Sequence, residues 1–478
     1  MFGHPPGLKT LFFTELWERL SYYGMRAILV LFLVATLEDG GFGMTKEKAG
    51  AIYGLYTAMV YLFALPGGWL ADRVMGLRKS VFVGGVVIAA GHFSMAVPST
   101  YSFYLGLVLI VIGTGLLKPN VSALVGELYP EGGGRRDAGF SIYYMGINLG
   151  AFFGPLICGY LGQEVDWHYG FGAAGVGMVV GLIQYRLGFK NLGDIGQLNV
   201  APEIHQVAVR RATIGMGVVA LVLVILGGLL ATETITVVSV ANGLGLFIAL
   251  VAIVYFAYLL VLGDWSPAEK KRIGAIFILF LSSAMFWAGF EQAGSSLNLF
   301  ADELTNLSVM GREFPSSWFQ SVNPFFIIVL APGFAWLWVA LQQREPSIPV
   351  KFGMGLLLMA LGFFVIAWAS IYASAESKVS PAWLILTYFL HTSGELCLSP
   401  VGLSSVTKLS PKALVGQMMG MWFTGTALGN LIAGISGGMF ESMPLPRLFG
   451  TVAIIGAIFG ALLMIFKEPI KKLCGGVK

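Results

Sequence analysis

The stretch Glu15-Leu16-Trp17-Glu18-Arg19-Leu20-Ser21-Tyr22-Tyr23-Gly24-Met25-Arg26 sets two acids and two bases inside the otherwise apolar run 11–35. A charge at the centre of a membrane helix costs about 2.5–3.5 kcal/mol even on the lenient insertion scale. Four of them in twelve residues therefore imply a use. At about 100° per residue, Glu15, Glu18, Arg19, Tyr22, Tyr23 and Arg26 fall within roughly 140° of arc, while Leu16, Leu20 and Ile28 turn elsewhere. One face of this first span is polar and is expected to line a bundle interior.

The composition agrees. Of 478 residues, 56% are hydrophobic and 11% charged, which leaves too little polar surface to cover a soluble globule of this size. The chain reads as an all-α integral membrane protein. Cys158 and Cys397 lie in apolar runs and Cys474 in a cationic tail, so the three form neither a disulfide framework nor a metal spacing and are expected to be packing residues. The N-terminus lacks a basic region, short apolar core and small-residue cleavage site, and no segment is expected to be removed.

Apolar stretches long enough for a hydrocarbon core of about 30 Å recur along the whole chain. They fall at 11–35, 49–71, 79–97, 102–127, 138–162, 168–187, 211–231, 235–262, 272–300, 318–342, 350–372, 381–404, 413–438 and 447–467, which makes fourteen spans. An even number returns both termini to one side. Of the 29 Lys and Arg, twenty-one, including Lys471, Lys472 and Lys478 in the tail, lie in one set of loops and termini. Five, Lys46, Lys48, Arg312, Lys378 and Arg447, lie in the other set. By the positive-inside rule both termini are expected in the cytoplasm, and the net charge of +4 is an orientation signal that gives no support to a nucleic-acid partner. The segment from Lys190 to Arg211 carries Asn191, Gly193, Asp194, Gly196 and Pro202 and separates six spans from eight. The expected organisation is an N-terminal six-helix bundle over 1–190, a linker with two inserted helices over 191–271, and a C-terminal six-helix bundle over 272–478. The inserted pair, 211–231 and 235–262, without charges in their interiors, is expected to face lipid all round and so to be peripheral, whereas spans 1, 4, 7 and 10, numbered without that pair (11–35, 102–127, 272–300 and 381–404), carry the buried charges.

The loop Gly67-Gly68-Trp69-Leu70-Ala71-Asp72-Arg73-Val74-Met75-Gly76-Leu77-Arg78-Lys79 resembles the cytoplasmic signature of the major facilitator superfamily. A finer match is to the proton-dependent oligopeptide transporter family. Glu15-x-x-Glu18-Arg19-Leu20-Ser21-Tyr22-Tyr23-Gly24 is similar to its first-helix ExxERFxYYG signature, with Leu20 in place of the usual Phe. Further matches are Gly115-Leu116-Leu117-Lys118-Pro119-Asn120 in span 4, the run from Arg135 to Gly150 leading into span 5, Phe290-Glu291-Gln292 in span 7 and Gly394-Glu395-Leu396-Cys397-Leu398-Ser399-Pro400 in span 10. The resemblance covers essentially the whole chain and implies twelve core helices plus the inserted two, as in bacterial members. It further implies a symporter importing di- and tripeptides by alternating access, with the proton as coupling ion and no cofactor.

The resemblance assigns roles to residues. Arg26 and Lys118 would take a peptide's carboxylate, the first with a planar fork and the second as a point charge. Glu395, with Asn148 and Asn323, would hold the ammonium group. Lysines near helix ends can snorkel, but Lys118 lies about sixteen residues into its span. Glu395 could instead pair with Lys118, and the two readings are compatible, since a zwitterion would replace each partner with its own terminus. Tyr22, Tyr23, Tyr61, Trp287 and Trp422 fall at family pocket positions, where aromatic rings accommodate varied side chains. Proton coupling needs a carboxyl that gains and loses a proton near ambient pH. The candidates are Glu15, Glu18 with Arg19, and Glu291, whose protonation would free a cation such as Arg26. Animal members carry a His in the second helix where this chain has Gly54, so coupling is expected to rest on carboxylates. His391 precedes Glu395 by one turn, but no third metal ligand accompanies them; like His92, it is assigned to packing.

No HExxH, P-loop or Ser/His/Asp ordering is present, so an enzyme is not expected. The rival reading is a transporter of the same family for nitrate or another small anion. A site for an anion alone has no use for a carboxylate opposite Lys118 and Arg26, whereas a zwitterion needs both poles. The functional unit is expected to be a monomer in the lipid bilayer of a bacterial inner membrane.

Overall fold

The computed structural model describes residues 3–309 and 311–475, so Lys478, counted among the loop cations, lies outside them. Each of the fourteen expected spans coincides with a helical run. These are α1 (Pro6–Val34), α2 (Lys46–Leu62, continued by Ala64–Leu70 and the π turn Ala71–Met75), α3 (Leu77–Met95), α4 (Thr100–Glu127), α5 (Gly133–Glu164), α6 (Trp167–Leu187) and α7 (Pro202–Ala231). The rest are α8 (Val237–Val261), α9 (Pro267–Phe290, extended by Glu291–Gly294 and Ser296–Leu304), α10 (Val322–Leu341, preceded by the 3-10 turn Ser316–Ser321), α11 (Ile348–Tyr372), α12 (Ala382–Leu409), α13 (Val415–Gly438) and α14 (Leu445–Ile465). Among the described residues, ten helical runs are long and apolar enough to cross a membrane by length and composition. The first helix is not one of them, because every eighteen-residue stretch of α1 carries at least three charged side chains.

The chain divides into two compact units, residues 1–32 with 59–240 and residues 33–58 with 241–478. The division cuts α2: its first part, to Ala58, belongs to the second unit and the remainder to the first.

Within the first unit, glycine seams draw the helices together. In α3 and α4 the backbones approach at two glycine pairs, where a Cβ on Gly84 would lie 2.7 Å from the Gly113 carbonyl and one on Gly91 would lie 2.9 Å from that of Gly106. The side of α1 opposite its charges is held in the same way. A Cβ on Gly154 of α5 would come 2.5 Å from the Leu20 carbonyl, and one on Gly24 would meet Cys158 Sγ at 2.5 Å and the Gly154 carbonyl at 2.9 Å. Helices in lipid gain nothing from burying apolar area against each other, so close backbone approach of this kind supplies the packing attraction. All three cysteines are buried free thiols, as packing residues should be.

Within the second unit, the first part of α2 packs on α13 through Gly50 and Gly54 against Gly434, Leu431 and Gly438. Lys46, at the start of α2, pairs with Glu303 Oε1 at 2.7 Å and Glu441 Oε1 at 3.3 Å.

The inserted helices differ from each other. Both reach a mean hydropathy of 2.7, and the most apolar stretch of α7 is unburied, in keeping with a lipid-facing helix. In contrast, α8 buries Ala241, Ile248, Ala252, Phe256 and Leu259, which fall within about 80° of arc. Phe256 meets Phe277 and Phe280 of α9 at 5.0 and 5.8 Å, and the Tyr255 hydroxyl donates to Gln417 Oε1 at 2.7 Å. The expectation of a helix facing lipid all round is thus corrected for α8. Lipid and protein interiors are equally apolar, so hydropathy does not tell one face from the other.

Gly154→Leu is expected to force α1 from α5 and to lower stability by about 1–3 kcal/mol. Gly217→Leu in α7, where nothing lies within 4 Å of a Cβ, should be neutral. Thermal melting of the two purified variants in one detergent checks the contrast, and equal melting temperatures would remove the seam from the argument.

Candidate functional site

The charged face of α1 is enclosed, with Glu15, Glu18, Arg19 and Arg26 all buried. Arg19 lies between two carboxylates: its Nε is 3.2 Å from Glu15 Oε1 and donates to an oxygen of Glu18. A guanidinium suits this place because it stays charged and offers several donors in fixed directions. The rings of Tyr22 and Tyr23 stand edge to face, 5.2 Å apart, and interleave with the cations. Arg19 is 5.1 Å from the Tyr22 centroid, and Arg26 is 4.8 Å from that of Tyr23. These distances suit cation–π attraction, which strengthens as water is excluded.

Two more helices of the first unit complete this side. On α5, the Tyr143 hydroxyl donates to Glu15 Oε2 at 2.7 Å. On α4, half-buried Lys118 holds its ammonium 4.2 Å above the centre of the Tyr61 ring. Asn148 is buried on α5 and donates to the Tyr144 carbonyl of its own helix at 2.9 Å. The expected proton-coupling residues Glu15, Glu18 and Arg19 and the expected substrate-binding residues Tyr22, Tyr23, Arg26, Tyr61, Lys118 and Asn148 therefore all belong to one unit.

The second unit contains Trp287, Glu291, Asn323, Glu395 and Trp422. Glu395, buried in the middle of α12, accepts from Asn323 Nδ2 at 3.0 Å, and the same amide nitrogen donates to Thr392 Oγ1 at 2.9 Å. Thr392 in turn donates to the Tyr388 carbonyl at 2.7 Å, which orients its lone pairs towards the amide. This carboxylate is thus held by a neutral donor. Glu291 is buried where α9 tightens into a 3-10 turn, and its backbone carbonyl accepts from the Tyr53 hydroxyl at 3.3 Å. Trp287 packs against Phe290 at 5.3 Å and lies over Gly429, and Trp422 packs against Phe352 at 6.3 Å and over Gly402. His391 lies against Phe363 at 4.9 Å, and among the described residues no group of three or more His, Cys, Asp or Glu is placed to hold a metal ion.

Gly54, which stands where animal members have a histidine, faces backbone. A Cβ there would lie 3.0 Å from the Leu431 carbonyl and 3.2 Å from the Gly434 Cα, so an imidazole has no room.

A family model described as POT family matches residues 78–452. The chain belongs to the POT family. It is 42% identical to "Peptide transporter YePEPT" of Yersinia enterocolitica subsp. palearctica serotype O:3 over 99% of this chain and 96% of that one. It is 38% identical to a di-/tripeptide transporter of Lactococcus lactis subsp. cremoris over 100% and 98%. A crystal structure of a peptide transporter POT in complex with sulfate superposes with a TM-score of 0.92 at 44% identity, covering 99% of this chain and 96% of that one. The POT fold is the helical membrane fold of the major facilitator superfamily, and the POT relatives are transporters.

Sequence reasoning gave no role to Thr392, nor to Tyr143, which lies within the Arg135–Gly150 match. Each is an uncharged residue in a largely apolar helix, and no local spacing marks the contact that it makes. Only contacts over long sequence separations reveal Tyr143 to be the partner of Glu15 and Thr392 to be the second acceptor of Asn323.

Removing Arg19 leaves two buried carboxylates without their shared cation. Arg19→Ala is therefore expected to lose about 3–5 kcal/mol. Arg19→Lys, which keeps the charge but not the fork, should lose less. Chemical denaturation of both variants in detergent checks the order; an unchanged Arg19→Ala protein would mean that Arg19 does not compensate the two acids.

Proposed function

We propose that the protein is a proton-coupled symporter that imports di- and tripeptides by alternating access, acting as a monomer in a bacterial inner membrane with both termini in the cytoplasm. The family and the names of its relatives support peptides as substrate class. The observation that carries the reading for this chain is the buried Glu395 carboxylate, held by the neutral Asn323 amide. A carboxyl group held by a neutral donor receives no counter-charge from it, so a cation can supply one. A peptide's ammonium group satisfies it, with Asn323 and Asn148 assisting. Arg26 and Lys118 supply the opposite pole for the peptide carboxylate, and Tyr22, Tyr23, Tyr61, Trp287 and Trp422 supply surfaces for its side chains.

The coupling ion is a proton, carried by Glu15 and Glu18 beside Arg19 in the first unit and by Glu291 in the second, without a cofactor. Protonation of Glu291 releases a cation, Arg26, to the substrate carboxylate. Alternating access follows from exchange of partners, because a buried charge that loses one counter-charge must gain another. The second reading, a carrier of nitrate or another small anion, uses the cationic pole but leaves Glu395 with nothing to bind.

The test is uptake of radiolabelled dialanine into proteoliposomes with and without an inward proton gradient, beside nitrate uptake in the same vesicles. Gradient-dependent accumulation of the peptide, competed by other di- and tripeptides, is the expected result. Proton-driven nitrate uptake without peptide uptake would overturn it. Glu291→Gln should abolish gradient-driven uptake while peptide counterflow persists, and intact proton-driven uptake in that variant would remove Glu291 from the coupling.

A further inference from the structure

The Tyr143 hydroxyl touches two groups. It lies 2.7 Å from Glu15 Oε2 on α1 and 3.2 Å from Ser122 Oγ on α4, so a three-member chain of oxygens joins three helices of the first unit. Glu15 and Tyr143 are buried, whereas Ser122 is half-buried and its neighbour Ala123 is exposed. The chain thus runs from an enclosed carboxyl towards a surface. Ser122 follows Lys118 by one turn and precedes the end of α4 at Glu127 by five residues, or about 8 Å of axis. That end leads through residues 128–132 to Arg135 and Arg136 at the start of α5, cations that by the positive-inside rule mark this side as cytoplasmic.

We infer that Tyr143 and Ser122 form a relay that carries the proton from Glu15 towards the cytoplasm. The inference rests on the proton coupling proposed above and adds the route of release. A phenol holds one proton and can donate or accept, and both hydroxyl hydrogens can turn about their C–O bonds. While Glu15 is ionised, Tyr143 donates to it and Ser122 can donate to Tyr143. When Glu15 is protonated, its O–H donates to the phenol oxygen, Tyr143 turns to donate to Ser122, and Ser122 donates to water. In the release step the O–H bonds of Glu15, Tyr143 and Ser122 break. New O–H bonds form on Tyr143, on Ser122 and on the water, which leaves as hydronium. No hydroxyl keeps a charge, and Glu15 is again a carboxylate facing Arg19 at 3.2 Å.

The charged groups nearest Glu15 in the chain, Arg19 and Glu18, lie on its own helix, and Lys118 lies on α4. Lys118 and Ser122 share one helix, so the residue proposed to take the peptide carboxylate and the last oxygen of the relay move together.

The test uses the full-length protein in proteoliposomes with dialanine. Tyr143→Phe removes one oxygen and nothing else. It is expected to lower gradient-driven uptake about tenfold, as loss of a hydrogen bond to a charged group should, while counterflow exchange stays within about twofold of wild type. Ser122→Ala should act in the same direction, and Ser122→Thr, which restores a hydroxyl, should recover most of the rate. Equal loss of uptake and counterflow in Tyr143→Phe would show a packing role and overturn the relay, as would a wild-type rate. If Tyr143→Phe fails to fold, the Ser122→Ala and Ser122→Thr pair decides alone, with indistinguishable rates counting against the relay. Wild-type protein without any gradient-driven peptide uptake would instead overturn the reading on which the relay rests.

Discussion

The structure depends on the enclosure of Arg19 between Glu15 and Glu18 in α1. Three ionised side chains in a membrane interior would each be expelled singly, and together they are retained because the guanidinium faces both acids and the neighbouring tyrosine rings face the guanidinium. One cation against two acids leaves the cluster one proton short of neutrality. In the symport proposed above, one added proton would balance the cluster. The Tyr143 hydroxyl on Glu15 partly offsets the excess negative charge, which explains why a phenol stands where an apolar ring would pack as well.

The remaining packing serves to hold that cluster in place without filling the space around it. Gly24 and Gly154 bring α1 against α5 on the side opposite the charges, while Gly150 of α5 comes against Arg19 Cβ and Tyr143 of the same helix reaches Glu15, so α5 touches both sides of α1. In the second unit the same device, Gly50 and Gly54 against Gly434, seats the first part of α2. Glycine at these positions is required by close approach and not by backbone conformation, since all of them lie within helices. The inserted helices carry no part of this arrangement. One is exposed along nearly all its length and the other leans on α9 and α13 through a single face.

Much of this was legible in the sequence, for reasons that can be stated. Hydrophobic length sets membrane spans directly, because the bilayer imposes a thickness on every helix, and all fourteen runs therefore stood out. The polar arc of α1 stood out because charges within an apolar run have no neutral explanation. Glu395 was named from a motif and Asn323 from the family resemblance alone, and they meet. Contacts carried by uncharged residues were not legible. Tyr143 is one aromatic among many, Thr392 one hydroxyl on a helix that could equally bond its own backbone, and the packed face of α8 is as apolar as its free face. The allocation of α2 to two units was also hidden, since its small residues read alike wherever they find a partner.

The two units differ in how they hold charge, and this bears on mechanism. In the first unit the acids are paired with a permanent cation, so their charge is spent locally and only a proton alters the balance. In the second unit Glu395 is held by the Asn323 amide, which also donates to Thr392, so a neutral group fixes its position without cancelling its charge. A carboxylate in that condition is stable only while something positive is near, and within a membrane that requirement is costly to leave unmet. Neutral positioning therefore makes Glu395 dependent on an external partner in a way that Glu15 is not. In the symport proposed above, the first arrangement would serve a proton site that persists through every conformation, and the second a substrate site that has to bind and then release.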